Sequence, residues 1–319
     1  MALYEKSNTA VRTPYGKTDW FQVKTGVRQG CVLSPLLFIT YMDKITKDAN
    51  PEDDTINELL FADDQSLLGN TEKTLQEHVN NLNERCKQFN MKIGTTKTEA
   101  MKISKTPGPL NITVDNNKMK QVEEFKYLGS IFTQDGKIDR EIEARIKKAN
   151  TVTYQLAPIL AHDSVSMETK RQLINSIFTP TLCYQAQTWT MNKSHQSKIN
   201  ACEMKCLRKT LNITRRDKVR NEIVRQQVGT TPCLKHIEKQ RIKWFGHLTR
   251  LPADSMPARA YNQRMDGHKG RGRPRKRWID GVKETLKNNN ISMEQAIEDT
   301  RRRRLHLPST PKGTRGRKK

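Results

Sequence analysis

The clearest pattern along the chain is the run Leu75, Val79, Leu82, Cys86 and Phe89, apolar positions that step by four and three between polar ones. That spacing gathers one stripe on a helix, and Asn70 or Thr71 stands where its N-cap belongs. Upstream, "AVRTPYGKTDWFQVKTGVRQG" alternates β-branched and aromatic residues with polar ones around Pro14 to Gly16, which predicts two extended segments and a turn. In "CVLSPLLFITYMDKI" Ser34 is a good N-cap and Pro35 falls at the first helical position, so a helix is expected with Leu37, Tyr41 and Ile45 on one face. "ELLFADDQSLLG", Glu58 to Gly69, reads as a hairpin, "MKIGTTKTEAMKI" as a strand, a glycine turn and a second strand, and "FKYLGSIFTQDGK" as another hairpin with Gly129 in its turn. From Asp139 to Gln227 the apolar positions keep helical spacing: Ile142, Ile146 and Ala149, then Leu173, Ile177 and Phe178, then Ile199, Cys202 and Cys206. Beyond Thr231 glycine, proline and basic residues break the pattern, leaving one helix over Ile279 to Lys287 and a last dozen residues whose composition predicts disorder. The expectation is an α+β chain in three parts, 1–136 mixed, 137–230 helical and 231–319 basic.

Charge sharpens this division. The chain has 319 residues and a net charge of +24, and from Ala201 onward 32 Lys and Arg face 11 Asp and Glu, so the first two hundred residues are near balance. Such density asks for a polyanionic partner, of which nucleic acid is the commonest, or for solvation as a tail. Only 34% of residues are hydrophobic, and no stretch approaches the roughly 20 apolar residues that span a bilayer. No signal-peptide core follows Met1, and the six cysteines are scattered without a disulfide framework, so a reducing, intracellular compartment without a membrane partner is expected.

Within this basic chain Asp63 and Asp64 stand side by side between apolar stretches. Adjacent strand residues point to opposite faces, so the two carboxylates converge only where the chain turns. Asp is favoured in turns without any metal. Magnesium, however, prefers carboxylate oxygens and leaves positions open for phosphates, and Leu59, Leu60, Phe61, Leu67 and Leu68 would hold the turn on buried strands.

Taken with their neighbours, "GVRQGCVLSPLLF" (Gly26 to Phe38), "LLFADD" (Leu59 to Asp64), "FNMKIGTTKTE" (Phe89 to Glu99) and "FKYLGSIF" (Phe125 to Phe132) resemble, in order and spacing, four signature blocks of reverse transcriptases of the non-LTR retrotransposon (LINE-type) branch. "HIEKQRIKWFGHLTRLP" and "GRGRPRKRWIDGVKETL" look like the C-terminal portion of the same elements, so the resemblance covers nearly the whole chain. It implies a partial polymerase palm over 1–136, a helical thumb over 137–230 and a basic, partly disordered nucleic-acid-binding region over 231–319. It further implies RNA-directed DNA polymerase chemistry on an RNA template and a DNA primer or target, with dNTP substrates. By the same resemblance Asp63 and Asp64 match the Mg²⁺-binding pair, Lys97 the basic residue assisting the leaving pyrophosphate, Arg28, Gln29, Gly30, Ser34 and Pro35 the block lining the nucleotide and template pocket, and Lys126, Tyr127, Leu128 and Gly129 the hairpin that grips the primer.

One departure limits that expectation. In the family the first metal-binding Asp precedes the "RQG" block on its own strand, whereas here 28 residues precede Gln29 and their acidic candidates, Glu5 and Asp19, stand in no suitable setting. A two-metal site needs a ligand bridging ions about 3.5–4 Å apart. The Mg²⁺ site is thus expected to be incomplete and the chain inactive alone, as in a 5′-truncated copy or partial gene model. The alternative is a non-enzymatic nucleic-acid-binding protein acting through its tail.

The tail contains Arg271, Arg273, Arg275, Lys276 and Arg277, with an Arg-Gly-Arg-Pro core like that of an AT-hook. General phosphate contact is the expected role, because basic low-complexity sequence produces that tetrapeptide by chance. Arg301 to Arg304 read as a phosphate patch or nuclear-import signal, which places the chain in the nucleus or in a cytoplasmic ribonucleoprotein. His195, Cys202, Cys206, Cys233 and His236 lack the spacing of a zinc knuckle, and Cys202 and Cys206 lie on an apolar stripe where buried thiols are the default. Trp244, Phe245 and His247 are candidates for base stacking or for a small helix core.

Overall fold

The computed structural model describes residues 7–23, 25–49, 56–104, 108–263 and 276–301. Contacts divide the chain into two compact units, Met1–Lys102 with Gly108–Val122, and Ile103–Pro107 with Glu123–Lys319.

The first unit opens with short antiparallel pairs. β1 (Asn8–Thr9) pairs with β4 (Phe21–Gln22), and β2 (Arg12–Thr13) pairs with β3 (Gly16–Lys17) around the expected Pro14 turn. Helix α1 (Ser34–Ala49) follows, then the hairpin β5 (Glu58–Phe61) and β6 (Asp64–Leu67), then α2 (Glu72–Gln88). Thr71 caps α2, its side chain accepting from the Thr74 amide at 3.1 Å. The helix buries two stretches of its stripe against different partners. Leu82 and Cys86 join Met42 and Ile45 of α1, with Phe38, Leu67, Phe89, Met91 and Ile93 around them. Leu75 and Val79 pack instead on Ala100, Leu110, Ile112, Val114 and Met119, which come from β7 (Glu99–Ala100), β8 (Thr113–Val114) and the chain beside them. β8 pairs with β9 (Asn117–Lys118) as a hairpin, and β7 pairs in parallel with β10 (Lys120–Gln121).

Two sequence expectations change here. The buried face of α1 is Phe38, Met42 and Ile45, while Leu37 and Tyr41 remain 46% and 41% exposed. Both stripes have helical spacing, and the choice went to the one that meets α2; the Tyr41 hydroxyl reaches over to donate to the Phe89 carbonyl. Met91–Gly94 forms no strand; Met91 and Ile93 enter the core from an irregular segment, and the following turn closes with the Lys97 and Thr98 amides on the Gly94 carbonyl, each at 3.0 Å.

The second unit begins with the hairpin β11 (Glu124–Tyr127) and β12 (Ser130–Thr133), whose two-residue turn, Leu128 at φ +46° and Gly129 at φ +86°, has the doubly positive φ that matches strand twist. Helices α3 (Asp139–Leu160), α4 (Met167–Leu173), α5 (Thr179–Leu182), α6 (Lys193–Thr210) and α7 (Asn221–Val228) follow. Between α4 and α5 the turn Ile174–Phe178 is a π-helix. Pro180 explains it: lacking an N–H, and crowding the carbonyl four residues back, it cannot continue a regular helical turn over Ser176. The core holds Ile142, Ala149, Ile174, Phe178, Leu182, Ile199 and Leu207. Of the helical positions read from the sequence, Ile142, Ala149, Phe178, Ile199, Cys202 and Cys206 are buried in it and Ile146 packs against it. Leu173 is half-buried and Ile177 exposed, Ile174 taking the inward position on that turn.

Beyond Thr231 the structure is more helical than expected. α8 (Cys233–Leu248), α9 (Met256–Asn262), α10 (Trp278–Asn288) and α11 (Met293–Arg301) are present, where only a helix near Ile279 to Lys287 was anticipated. Ile242 and Phe245 of α8 pack with Val282, Leu286 and Ala296 in a small core, so Phe245 is structural. The last dozen residues, with Arg302 to Arg304, lie outside the described residues. Among the described residues no helix is long and apolar enough to cross a membrane.

Candidate active site and nucleic-acid surface

Asp63 and Asp64 sit at the tip of the β5–β6 hairpin. Phe61 pairs with Asp64, so Ala62 and Asp63 make the turn and Asp64 opens the return strand. Ala62 adopts φ +54°, in the left-handed region that favours glycine, and this tight reversal brings two consecutive carboxylates to one exposed tip. The strands beneath are less buried than expected: Leu60, Phe61 and Leu68 are 38%, 61% and 42% exposed. The sheet has two strands, and Leu67 is the residue that anchors it in the α1–α2 core.

The "RQG" residues form the turn before α1. The Arg28 carbonyl accepts from the Cys31 amide at 3.3 Å and from the Ser34 hydroxyl at 2.6 Å, so Ser34 ties this turn to the helix while Pro35 occupies the first helical turn. Gly30 has φ +78° with open space where a Cβ would stand. Arg28 and Gln29 are exposed. Lys97 is exposed in the turn closed on Gly94. These three turns hang from one core. Phe38 of α1, Leu67 of β6 and Ile93, ahead of Lys97, all pack on the same cluster, so the elements that carry the candidate residues share a single support.

Lys126 is exposed on β11 opposite Ile131, while Tyr127, Leu128 and Gly129 are half-buried. Several side chains hold this turn. Tyr184 donates its hydroxyl to the Leu128 carbonyl at 3.0 Å, Arg145 donates to the Gly129 carbonyl, and the Ile131 amide donates to Glu141 at 2.9 Å. No sequence signal marked these partners, which lie 10 to 56 positions away.

The second unit also carries a basic groove of about 710 Å³ between α3, α6 and the 213–221 segment. Lys205, Arg208, Lys209 and Arg215 line it with no acidic side chain, and Tyr154, 82% exposed, stands on its wall. Arg208 is held in place by the Asn221 side chain at 2.7 Å and the Val219 carbonyl at 3.3 Å. The "KCLRK" run at Lys205 to Lys209 was the available signal, since Arg208 and Lys209 follow Lys205 by three and four positions and so share its side of the helix.

In the C-terminal region Arg271, Arg273 and Arg275 lie outside the described residues. Lys276 pairs with Glu284 at 2.6 Å, and Arg277 pairs with Asp280 at 3.4 Å while its amide donates to the same carboxylate at 2.8 Å, which holds the Asp280 carboxyl below its usual range. Trp244 lines a cavity with Tyr261 and Trp278, its ring 5.2 Å from that of His247. Of the residues weighed as zinc ligands, Cys202, Cys206 and Cys233 lie in the core of the second unit, and His236 is half-buried, burial lowering its pKa. His195 bonds Asp139 at 2.9 Å; Cys202, Cys206 and Cys233 are buried, and burial pushes the first two thiols up to about 12 and 11. Among the described residues no group of three or more His, Cys, Asp or Glu is placed to hold a metal ion.

The reverse transcriptase (RNA-dependent DNA polymerase) family matches residues 4–132, which contain both carboxylates, the Gln29 turn and Lys97. A transposon-derived protein of Caenorhabditis elegans is 23% identical over 203 residues, 61% of this chain and 72% of its own length. The retrovirus-related Pol polyprotein of a type-1 retrotransposable element from Nasonia vitripennis is 27% identical over 160 residues, 44% of this chain and 16% of the polyprotein. Residues 4–132 match the reverse-transcriptase family, and the chain is similar to proteins of retrotransposon and transposon origin. The reverse-transcriptase match ends at Phe132, one residue before β12 closes, so it takes in the β11–β12 hairpin that packs with the helices of the second unit.

Proposed function

We propose that the chain is the palm and thumb portion of an RNA-directed DNA polymerase, acting on an RNA template, a DNA primer and dNTPs. The observation that carries this reading is the placement of Asp63-Asp64, within the reverse-transcriptase match, at the tip of a two-residue hairpin. Two exposed carboxylates suit Mg²⁺, which binds through one or two carboxylates and takes its other ligands from water and phosphate. A divalent ion held by Asp63 and Asp64 would supply charge stabilisation at the attacking and leaving oxygens. The chain's own residues have separable tasks on this reading. Gly30 leaves room for close approach of a nucleotide, Lys97 offers a proton and a charge to departing pyrophosphate, and Lys126 to Gly129 meet the primer end. The groove lined by Lys205, Arg208, Lys209 and Arg215 binds phosphates.

Among the described residues no third carboxylate joins Asp63 and Asp64, so on this reading the ligand that bridges to a second metal ion comes from outside them. Primer extension on an RNA template with Mg²⁺ and dNTPs tests this, using the chain, its Asp63→Asn/Asp64→Asn variant and a fusion to the upstream encoded sequence. The expected result is no extension by the chain alone and extension by the fusion that the double substitution abolishes. Extension by the chain alone would overturn the incomplete-site argument, and a fusion indifferent to the substitution would overturn the metal assignment.

The surplus of 21 positive charges from Ala201 onward favours a second reading, a non-enzymatic binder working through its tail in the nucleus or a ribonucleoprotein. On that reading deleting Lys269 to Lys319 abolishes function and Asp63→Asn leaves it intact.

A further inference from the structure

The turn of the β11–β12 hairpin is held far more heavily than a two-residue turn requires. Its positive φ angles already match the hairpin, and the strands already pair through four residues on each side. Yet four side chains from elsewhere in the second unit close on it. Glu141 and Arg145 form a buried ion pair on α3, 2.7 Å apart and each about 5% exposed or less at the residue. Each then spends its remaining capacity on the hairpin backbone, Glu141 accepting from the Ile131 amide and Arg145 donating to the Gly129 carbonyl. The guanidinium lies 4.4 Å from the Tyr184 ring centroid, and the Tyr184 hydroxyl donates to the Leu128 carbonyl. Gln185, at φ +54°, accepts from the Ser130 hydroxyl and presents its amide to the Leu128 carbonyl at 3.5 Å. At Gly129 an added Cβ would stand 3.3 Å from the Tyr184 ring, so the fit closes around a residue without a side chain.

Stability alone is a poor explanation for this arrangement. A buried ion pair gives up hydration that its mutual attraction barely recovers, and well-packed apolar side chains often serve as well. What charged and hydrogen-bonding groups add is direction, since each fixes one backbone atom of the turn at one angle and distance. We infer that Glu141, Arg145, Tyr184 and Gln185 are positioning residues that lock the Leu128–Gly129 turn to α3, so that the hairpin and the helical bundle meet the primer terminus as one rigid clamp. The inference rests on reading Lys126 to Gly129 as the primer-contacting hairpin. It assigns that hairpin's orientation to residues that touch no substrate.

The test is equilibrium binding, which requires no polymerase activity. The whole chain is titrated with a primer–template duplex carrying a fluorescent adenine analogue at the primer 3′ end, and with the same duplex labelled at an internal position. Anisotropy gives overall affinity, and analogue fluorescence reports the terminus. The wild type is expected to change the terminal signal and not the internal one. Tyr184→Phe keeps the ring beside Arg145 and removes only the bond to Leu128, so it is expected to raise the concentration needed for the terminal signal by about two- to tenfold, one hydrogen bond's worth, with overall affinity unchanged. Arg145→Lys, which keeps the charge but loses the planar fork, is expected to reduce it further, and Arg145→Lys/Tyr184→Phe no more than their product. Terminal signals equal to wild type in Tyr184→Phe would overturn the inference even if Arg145→Lys fails to fold. A wild-type chain whose terminal signal is absent, or unaffected by Lys126→Ala and Tyr127→Ala, would overturn the primer-contact reading and the inference with it. A terminal effect that appears only together with equal loss of overall affinity would mark the four residues as general scaffold and likewise refute the positioning role.

Discussion

At Ala62 the backbone adopts φ +54°, a conformation that places the side-chain carbon too close to the neighbouring carbonyl. The tip of the hairpin therefore stores strain next to the two carboxylates. Ala62→Gly is expected to relieve it and stabilise the hairpin by about 0.5–1 kcal/mol, read as slower hydrogen exchange at the Leu59 and Ser66 amides, a pair that the strand register places in the hydrogen-bonded positions. Faster exchange would show that the turn relaxes without cost. The turn was legible in the sequence because two apolar runs flank a dipeptide of turn-forming residues. The exposure of Leu60 and Phe61 was not, because an apolar residue announces a preference for burial and says nothing about what covers it. For Gly129 the case is reversed: the sequence showed a turn glycine, and the ring of Tyr184 set against it arrives from 55 residues away in the chain.

Helical periodicity located α2 and the long helices of the second unit, since one face of each is buried and the spacing survives. It chose wrongly on α1, where "LLFITYMDKI" offers two apolar stripes and only the position of α2 decides between them. It missed α8, α9 and α11 because their apolar faces are short, Ile242 and Phe245 on α8 and Ala296 and Ile297 on α11, and stand among charged residues, basic on α8 and acidic on α11, with Pro257 at the start of α9. Between elements, the start of α3 is joined to the start of α6 by Asp139 and His195, and His195 closes a capping box with Asn192. The hydrogen bond from His195 is the largest cause that draws the Asp139 carboxyl below its ordinary value of 3.8. A carboxyl lowered by folding contributes stability above its unfolded pKa and loses that contribution as pH falls through the lower folded value. Asp139→Asn is therefore expected to reduce stability between pH 5 and pH 7, with the difference from wild type shrinking below pH 3.8, in urea titrations across that range. A difference that stays constant with pH would mean that the contact works without the carboxylate charge.

For the molecule as a whole, charge is the property the sequence revealed most completely, because net charge and its concentration after Ala201 need no structure. What needed structure was where the charge is committed. Lys276 and Arg277 are engaged with Glu284 and Asp280, whereas the α3–α6 groove is lined by four cations and by no acidic side chain. Affinity for single-stranded RNA is accordingly expected to fall steeply with salt, by about three hundredfold or more between 50 and 200 mM if six or more phosphates are contacted. Lys205→Ala/Lys209→Ala should reduce the slope of log K against log salt by about 1.4, whereas a slope unchanged by that pair would place the phosphate contacts elsewhere.

The cysteines have a consequence for chemical labelling. Cys86, Cys183, Cys202, Cys206 and Cys233 are buried, and burial raises the thiols of Cys86, Cys202 and Cys206 away from the reactive thiolate. Cys31 is only half-buried, and it adjoins Gly30. A maleimide dye added to the native protein should therefore attach first beside the turn assigned to the incoming nucleotide, giving a reporter of ligand arrival without the removal of a single native cysteine.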